Sequence, residues 1–137
     1  MDLNADNSAL HAAALWSGLL LLLLMVLSLR VMVTRRTKRI GVGDGGLEAL
    51  TLQNRAFGNA AEYAPAMIGA LILLALVGYT PLLVHGLGAA FLFGRIFHAW
   101  GISRSRGTSF GRVAGMTLTW TPYLVASVAL IACAAGF

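Results

Sequence analysis

Acidic side chains are scarce in this 137-residue chain, with five Asp and Glu against ten Lys and Arg. Cysteine is scarcer still, and the single Cys133 excludes a disulfide framework and any cysteine-rich metal cluster. His11, His85 and His98 have no metal-ligand spacing, so no metal is expected. There is no internal repeat and no low-complexity tail. Also missing is the polar surface of a soluble domain. With 58% hydrophobic residues and a mean hydropathy of +0.80, the chain is neither disordered nor an ordinary cytosolic protein. What it has instead is long apolar runs. At about 20 apolar residues per crossing, one domain of this length has room for at most four or five membrane spans. A pI near 10.4 would suggest nucleic acid in a soluble protein. Here the basic residues stand beside the apolar runs, so they read as topology determinants and anion ligands, with no nucleic-acid partner.

The reading is an all-α integral membrane protein, residues 1–137 forming a single four-transmembrane-helix bundle with spans at about 9–33, 47–78, 82–103 and 113–136. The first run follows Asp2 and Asp6 and precedes Arg35, Arg36, Lys38 and Arg39, the reverse of a cleaved signal peptide, so it is an anchor. The stretch from Arg35 to Gly46 reads as a connector. Its Gly41-Val-Gly-Asp-Gly-Gly46 matches G-x-G-x-x-G, but with no strand before it this is a turn and not a dinucleotide site. Gly78-Tyr79-Thr80-Pro81 signals a tight turn, and Pro122 predicts a kink in the last span. All ten basic residues fall in or beside the two connectors that share one side. The positive-inside rule makes that side cytoplasmic and puts both termini outside, in what reads as a bacterial inner membrane.

Some charges fall within the spans. Arg55, Asn59 and Glu62 are spaced four and three apart, within roughly 60° of one another on a helix. Arg95 and His98 form a second polar face, and Arg112 opens the last helix at the same level. Intramembrane ionisable groups are costly and mark functional sites or internal charge pairs. A cluster of arginines around one carboxylate suits a ligand with carboxylates at its ends and an ammonium beside them. An apolar co-substrate could reach such a site from the lipid. Gly86, Ala90 and Gly94, and likewise Gly111 and Gly115, read as small-residue packing rows. Trp16, Trp100, Trp120 and Tyr123 read as belt or packing aromatics.

The stripe Arg55-Ala-Phe-Gly-Asn59-Ala-Ala-Glu62-Tyr63-Ala-Pro65 resembles the R-A-x-x-N-x-x-E-Y-x-P signature of the MAPEG family, membrane-associated proteins in eicosanoid and glutathione metabolism. Val31-Met-Val-Thr-Arg35-Arg36, the Gly-Asp-Gly-Gly loop, Gly94-Arg95-Ile-Phe-His98 and Arg112-Val-Ala-Gly115 extend the resemblance over nearly the whole chain, in the manner of a bacterial-type member. The resemblance implies a homotrimer of four-helix protomers with glutathione as co-substrate, held between subunits near the cytoplasmic face. It implies glutathione contacts at Arg35, Arg55, Asn59, Glu62, Tyr63 and His98, with Arg112 as the catalytic arginine at the thiol; Arg95, from the second polar face, is expected to join the glutathione contacts. The sequence departs from the family at Ile102, where several eukaryotic members carry Tyr, at Thr51, where some have Glu, and at Phe57, where many have His or Gln.

The expected activity is therefore a glutathione-dependent transferase or peroxidase acting on a lipophilic small molecule or lipid. The competing readings are a non-catalytic glutathione- or lipid-binding membrane protein and a small proton-coupled exporter. Exporters of that size place their single intramembrane Glu in the first helix, without the arginine cluster. Membrane lipids are expected partners in every case.

Overall fold

The protein was analysed as a computed structural model that describes residues 7–104 and 107–136. The readings placed on Asp2, Asp6 and Arg106 lie outside the described residues. Four helices follow one another: α1 (Ser8–Lys38), α2 (Glu48–Leu76), α3 (Pro81–Arg104) and α4 (Phe110–Ala134). Each is long and apolar enough to cross a membrane.

The helix ends differ from the sequence reading for local reasons. α1 continues through Arg35 and Arg36 to Lys38, because Arg and Lys are good helix formers and cations suit a helix C-terminus. It stops where Arg39 takes a left-handed conformation, φ 55°, and the Ile40 and Arg39 amides bond back to the Arg35 and Arg36 carbonyls at 2.9 and 3.3 Å. The connector is thus shorter than expected. Within it, Asp44 accepts from Thr51 Oγ1 at 2.6 Å and from the Gly46 amide at 3.0 Å, bracing the loop against the first turn of α2. The Thr51 hydroxyl and then the Gly46 amide hold the Asp44 carboxyl below its ordinary pKa. α2 ends at Leu76, two residues before the expected Gly78, whose φ of +91° turns the chain into Pro81 at the head of α3. α4 begins at Phe110, so Arg112 sits within its first turn.

α1 packs on α2 and α3, and α4 packs on α3 and on α2; α1 and α4 do not meet. Away from the basic end the core is apolar, built on Leu20, Met67, Leu71, Leu74, Val84 and Phe91. A second cluster of Leu27, Ala56, Ala60, Ala99 and Ile102 fills the end near the two longer connectors. Lipid is as apolar as leucine, so helix association depends on close packing by small residues more than on expelling water. The α3–α4 seam shows this. A Cβ on Gly115 would lie 2.6 Å from the His98 nitrogen and 2.8 Å from the Gly94 carbonyl oxygen, and one on Gly101 would lie 2.7 Å from the Arg112 nitrogen. The row expected through Gly86 does not hold at that residue, which faces open space; Gly101 takes the packing role with Gly94. Its position, seven residues beyond Gly94, keeps both on one face.

Because the atoms crowding Gly115 are mostly backbone, no side-chain rotation can relieve a larger residue there. Gly115→Val is expected to destabilise the protein by about 1–3 kcal/mol, and Gly86→Val by less than about 0.5 kcal/mol. Denaturation of the two variants in one detergent compares them. Equal stability would mean that α3 and α4 do not approach this closely.

Candidate functional site

The α2 stripe forms as its spacing requires. Arg55, Asn59 and Glu62, with Asn54 and Gly58 beside them, make one wall of a groove of about 600 Å³. α3 contributes His98 and Ile102, and α4 contributes Arg112 and Met116. Arg55 and Glu62 are exposed in the single chain, Asn59 is half-buried and His98 is buried. Five of the expected site residues therefore share one groove.

Arg95 does not line it. Its side chain is 0% exposed and ties three helices together. Nη2 donates to Asn59 Oδ1 on α2 at 2.5 Å and to His98 Nδ1 at 2.9 Å, while Nη1 donates to Thr119 Oγ1 on α4 at 3.1 Å. Thr119 in turn donates to the Gly115 carbonyl at 2.7 Å. The Arg95 guanidinium carbon also lies 5.3 Å from the Tyr63 ring centroid, within cation–π range. Since a guanidinium only donates, His98 Nδ1 must accept, and the ring carries its proton on Nε2. Arg95 thus fixes which nitrogen of His98 is left to serve a ligand.

Tyr63 is turned away from the groove as well. It meets Tyr123 edge-on at 5.9 Å between centroids, and its carbonyl accepts from the Tyr123 hydroxyl. Arg35 lies in a separate cavity of about 650 Å³ at the end of α1, alongside Arg36, Arg39 and Ile40. A single protomer does not bring Arg35 to the stripe.

A second groove of about 380 Å³ runs beside the first. Its own residues include Val113, Thr117 and Trp120 on α4, and it shares His98, Arg112 and Met116 with the polar groove. Val113 and Trp120 are exposed in the single chain, 56% and 59%. Arg112 is half-buried at the junction, with Nη1 donating 2.7 Å to the Gly107 carbonyl of the preceding loop. A charged ligand on one side and an apolar ligand on the other would meet at these three side chains. Sequence reasoning missed Met116 and Thr119 and took Trp120 for a belt or packing aromatic. Thr119 does carry a signal: it stands one turn after Gly115, at the level where a buried Arg95 needs an acceptor.

Residues 13–132 match the family model described as the MAPEG family. The chain is 34% identical over 113 residues to the inner membrane protein YecN of Escherichia coli K12, a match covering 82% of this chain and 85% of YecN. The YecN of Escherichia coli O6:H1 matches with the same identity and coverage.

Replacing Arg95 with Met keeps most of the side-chain length but removes every donor. His98 Nδ1 and Asn59 Oδ1 then lose a partner, with an expected cost of about 1–3 kcal/mol per unsatisfied group. The imidazole nitrogen shifts of His98 in detergent micelles should show one Nε2–H tautomer in the wild type and a mixture in Arg95→Met. A single unchanged tautomer in the variant would show that Arg95 does not hold the ring.

Proposed function

The chain belongs to the MAPEG family, and from that premise we propose that it is a membrane-bound glutathione-dependent transferase or peroxidase acting on lipophilic electrophiles. The observation that carries this reading is the junction at His98, Arg112 and Met116, where a polar groove and an apolar, lipid-facing groove meet. Glutathione has two carboxylates, an ammonium and a thiol. Arg55 matches a carboxylate, Glu62 the ammonium and Asn59 the peptide groups between them. With its charged ends held along α2, the thiol reaches the junction.

The working assembly is a homotrimer. Arg55 and Glu62 are exposed at membrane depth in one protomer, and leaving them against lipid is costly. A neighbouring subunit covers them and brings its own Arg35 to the ligand, which accounts for the separation of Arg35 from the stripe within one chain. Arg95 and Tyr63 then act from behind, holding Asn59, His98 and the helix seam. The basic connectors face the cytoplasm of a bacterium and the termini lie outside it. YecN carries the name of an inner membrane protein, which supports the inner membrane as the location and leaves the orientation to be tested.

In the reaction, the Arg112 guanidinium stabilises the glutathione thiolate. An unperturbed thiol titrates near about 8.5 and is mostly protonated at neutral pH, so a cation beside the sulfur raises the reactive fraction. Arg112 cannot be the base, because a guanidinium keeps its proton. The sulfur supplies the electron pair of the new S–C bond, and the leaving group departs with the electrons of the bond it loses. With a lipid hydroperoxide the sulfur attacks the terminal oxygen, the O–O bond breaks, the alkoxide takes a proton and leaves as an alcohol, and the sulfur keeps the hydroxyl as a sulfenic acid; the thiol of a second glutathione then displaces that hydroxyl as water and closes the disulfide. In this reading His98 Nε2–H donates a hydrogen bond to the departing atom.

Purified protein should conjugate glutathione to 1-chloro-2,4-dinitrobenzene. Glu62→Ala is expected to weaken glutathione binding by about 2–5 kcal/mol, the cost of removing one partner of a buried charge pair. Arg112→Ala should instead lower kcat and raise the pH at which thiolate absorbance develops, each lost pKa unit corresponding to about 1.4 kcal/mol. Calorimetric binding of glutathione without turnover would favour a binding protein, and absence of binding would remove the reading altogether.

The orientation is tested separately. With the natural Cys133 replaced by Ala, a cysteine at Gly43 should resist an impermeant maleimide in intact cells and react after lysis. Labelling in intact cells would invert the topology.

A further inference from the structure

On the opposite side of α3 from the two grooves above, α1 and α3 line a further cavity of about 460 Å³. Its walls combine an apolar strip of Leu23, Val26, Leu27 and Ile96 with Arg30, Arg104 and Trp100. The two arginines are exposed. Arg104 is stacked on Trp100, its guanidinium carbon 4.6 Å from the ring centroid, which fixes the charge at the rim. Among the described residues neither arginine makes an ion pair, and Arg30 makes no side-chain hydrogen bond. Arg30 stands two turns inside the end of α1 at Lys38, among exposed Val26, Leu29 and Val33. A cation at that depth, on a lipid-facing surface, needs an anion that the bilayer can bring.

We propose that this α1–α3 groove binds one anionic phospholipid, its phosphate between Arg30 and Arg104 and an acyl chain along Leu23, Val26, Leu27 and Ile96. The shape agrees. From Arg30 to Leu23 the strip runs about 10 Å along α1, enough to order the upper part of a chain. Guanidinium groups bind phosphate oxygens in paired fashion, and basic pockets between helices on the cytoplasmic side recognise anionic head groups. The indole of Trp100 suits the head-group level.

Charge also selects a lipid over a second copy of this chain. Of the five acidic residues, Asp2 and Asp6 lie outside the described residues, Asp44 is already engaged by Thr51 and Gly46, and Glu48 in the first turn of α2 already has an interaction of its own. Glu62 belongs to the polar groove. Another protomer therefore has few carboxylates to set against Arg30 and Arg104, whereas the cytoplasmic leaflet has many phosphates. The site is independent of the glutathione reading, because it shares no residue with the stripe or with the junction at Arg112.

The experiment is native mass spectrometry of delipidated, detergent-solubilised full-length protein titrated with dioleoyl phosphatidylglycerol, dioleoyl phosphatidylcholine or inorganic phosphate. The wild type should retain the phosphatidylglycerol about tenfold better than the phosphatidylcholine. Arg30→Gln with Arg104→Gln should abolish that preference, while Arg36→Gln with Lys38→Gln, which removes the same charge nearby, should keep it. Should the first pair fail to fold, Val26→Trp fills the apolar strip, leaves both arginines in place and must lower phosphatidylglycerol retention. Four results would overturn the proposal. These are an undiminished preference in Arg30→Gln/Arg104→Gln, equal loss in the Arg36/Lys38 control, displacement of the lipid by inorganic phosphate, or a change in subunit number with lipid preference intact. The last would assign the groove to a second copy of the chain.

Discussion

A guanidinium with no exposed surface, inside a helix that reads as a membrane span, is the constraint on which the rest of the structure depends. Arg95 cannot shed its charge as a buried Lys or Glu can, so the fold must supply partners for it. It finds them on three helices: Asn59 on α2, His98 one turn along α3, and Thr119 on α4. These bonds set the register of the helices against one another at the level of the site. Shifting α4 by one turn would remove the acceptor at Thr119 and leave a buried donor unmet. The glycine seam makes such bonds reachable, because only backbone-to-backbone approach at Gly94, Gly101, Gly111 and Gly115 brings α4 within hydrogen-bonding distance of the α3 side chains.

This strut divides the protomer into two kinds of interior. Away from it the core is alkyl and aromatic, around Leu71, Leu74, Val84 and Phe91, and its helices are held by packing with hydrogen bonds such as Tyr79 to the Ala129 carbonyl at 2.6 Å. Around and below it the core is apolar but built mostly of small residues, with alanines at 56, 60 and 99 packed with Leu27 and Ile102. The small side chains let α2 approach α1 and α3 on one face while its other face keeps Arg55, Asn59 and Glu62 open. Fold stability and site geometry therefore rest on the same contacts. A substitution at Arg95 or Gly115 acts on both, whereas one at Arg55 or Glu62 changes the groove wall and leaves those contacts in place.

Hydropathy made the four helices legible, and helical spacing made the α2 stripe legible, because both depend only on residue order along one element. What the sequence could not reveal was direction. Arg55 and Arg95 look alike as intramembrane arginines; the first faces an open groove and the second is enclosed, and only the placement of α4 decides between them. The same applies to Gly86 and Gly101, of which the crossing point of α3 and α4 selects the second. The extension of α1 through Arg35, Arg36 and Lys38 was hidden by treating a basic run as a connector, although those residues favour a helix C-terminus. That the polar and apolar grooves share His98, Arg112 and Met116 requires three dimensions, since Met116 carries no sign of it in sequence.

The position of Arg112 on α4 has an electrostatic consequence of its own. The first turn of a helix presents unpaired amides and the positive end of the macrodipole, so a cation there is unfavourable unless an anion is near. Arg112 occupies that turn, and Ser109, at the cap position, makes no side-chain bond to it; its buried Oγ has no partner. The Gly107 carbonyl accepts a hydrogen bond from the guanidinium and holds it toward the preceding loop. An anion at the junction would therefore interact favourably with the arginine and with the helix end together. The groove on the Trp120 side is mostly apolar and offers such an anion little, so under the proposed function the charged partner would lie on the side of Arg55 and Glu62 and the lipophilic partner on the other. A thiolate presented from the polar groove meets both positive sources without leaving the reach of the apolar one. A neutral thiol would gain little there, so under the proposed function this junction would favour the reactive protonation state over the resting one by charge.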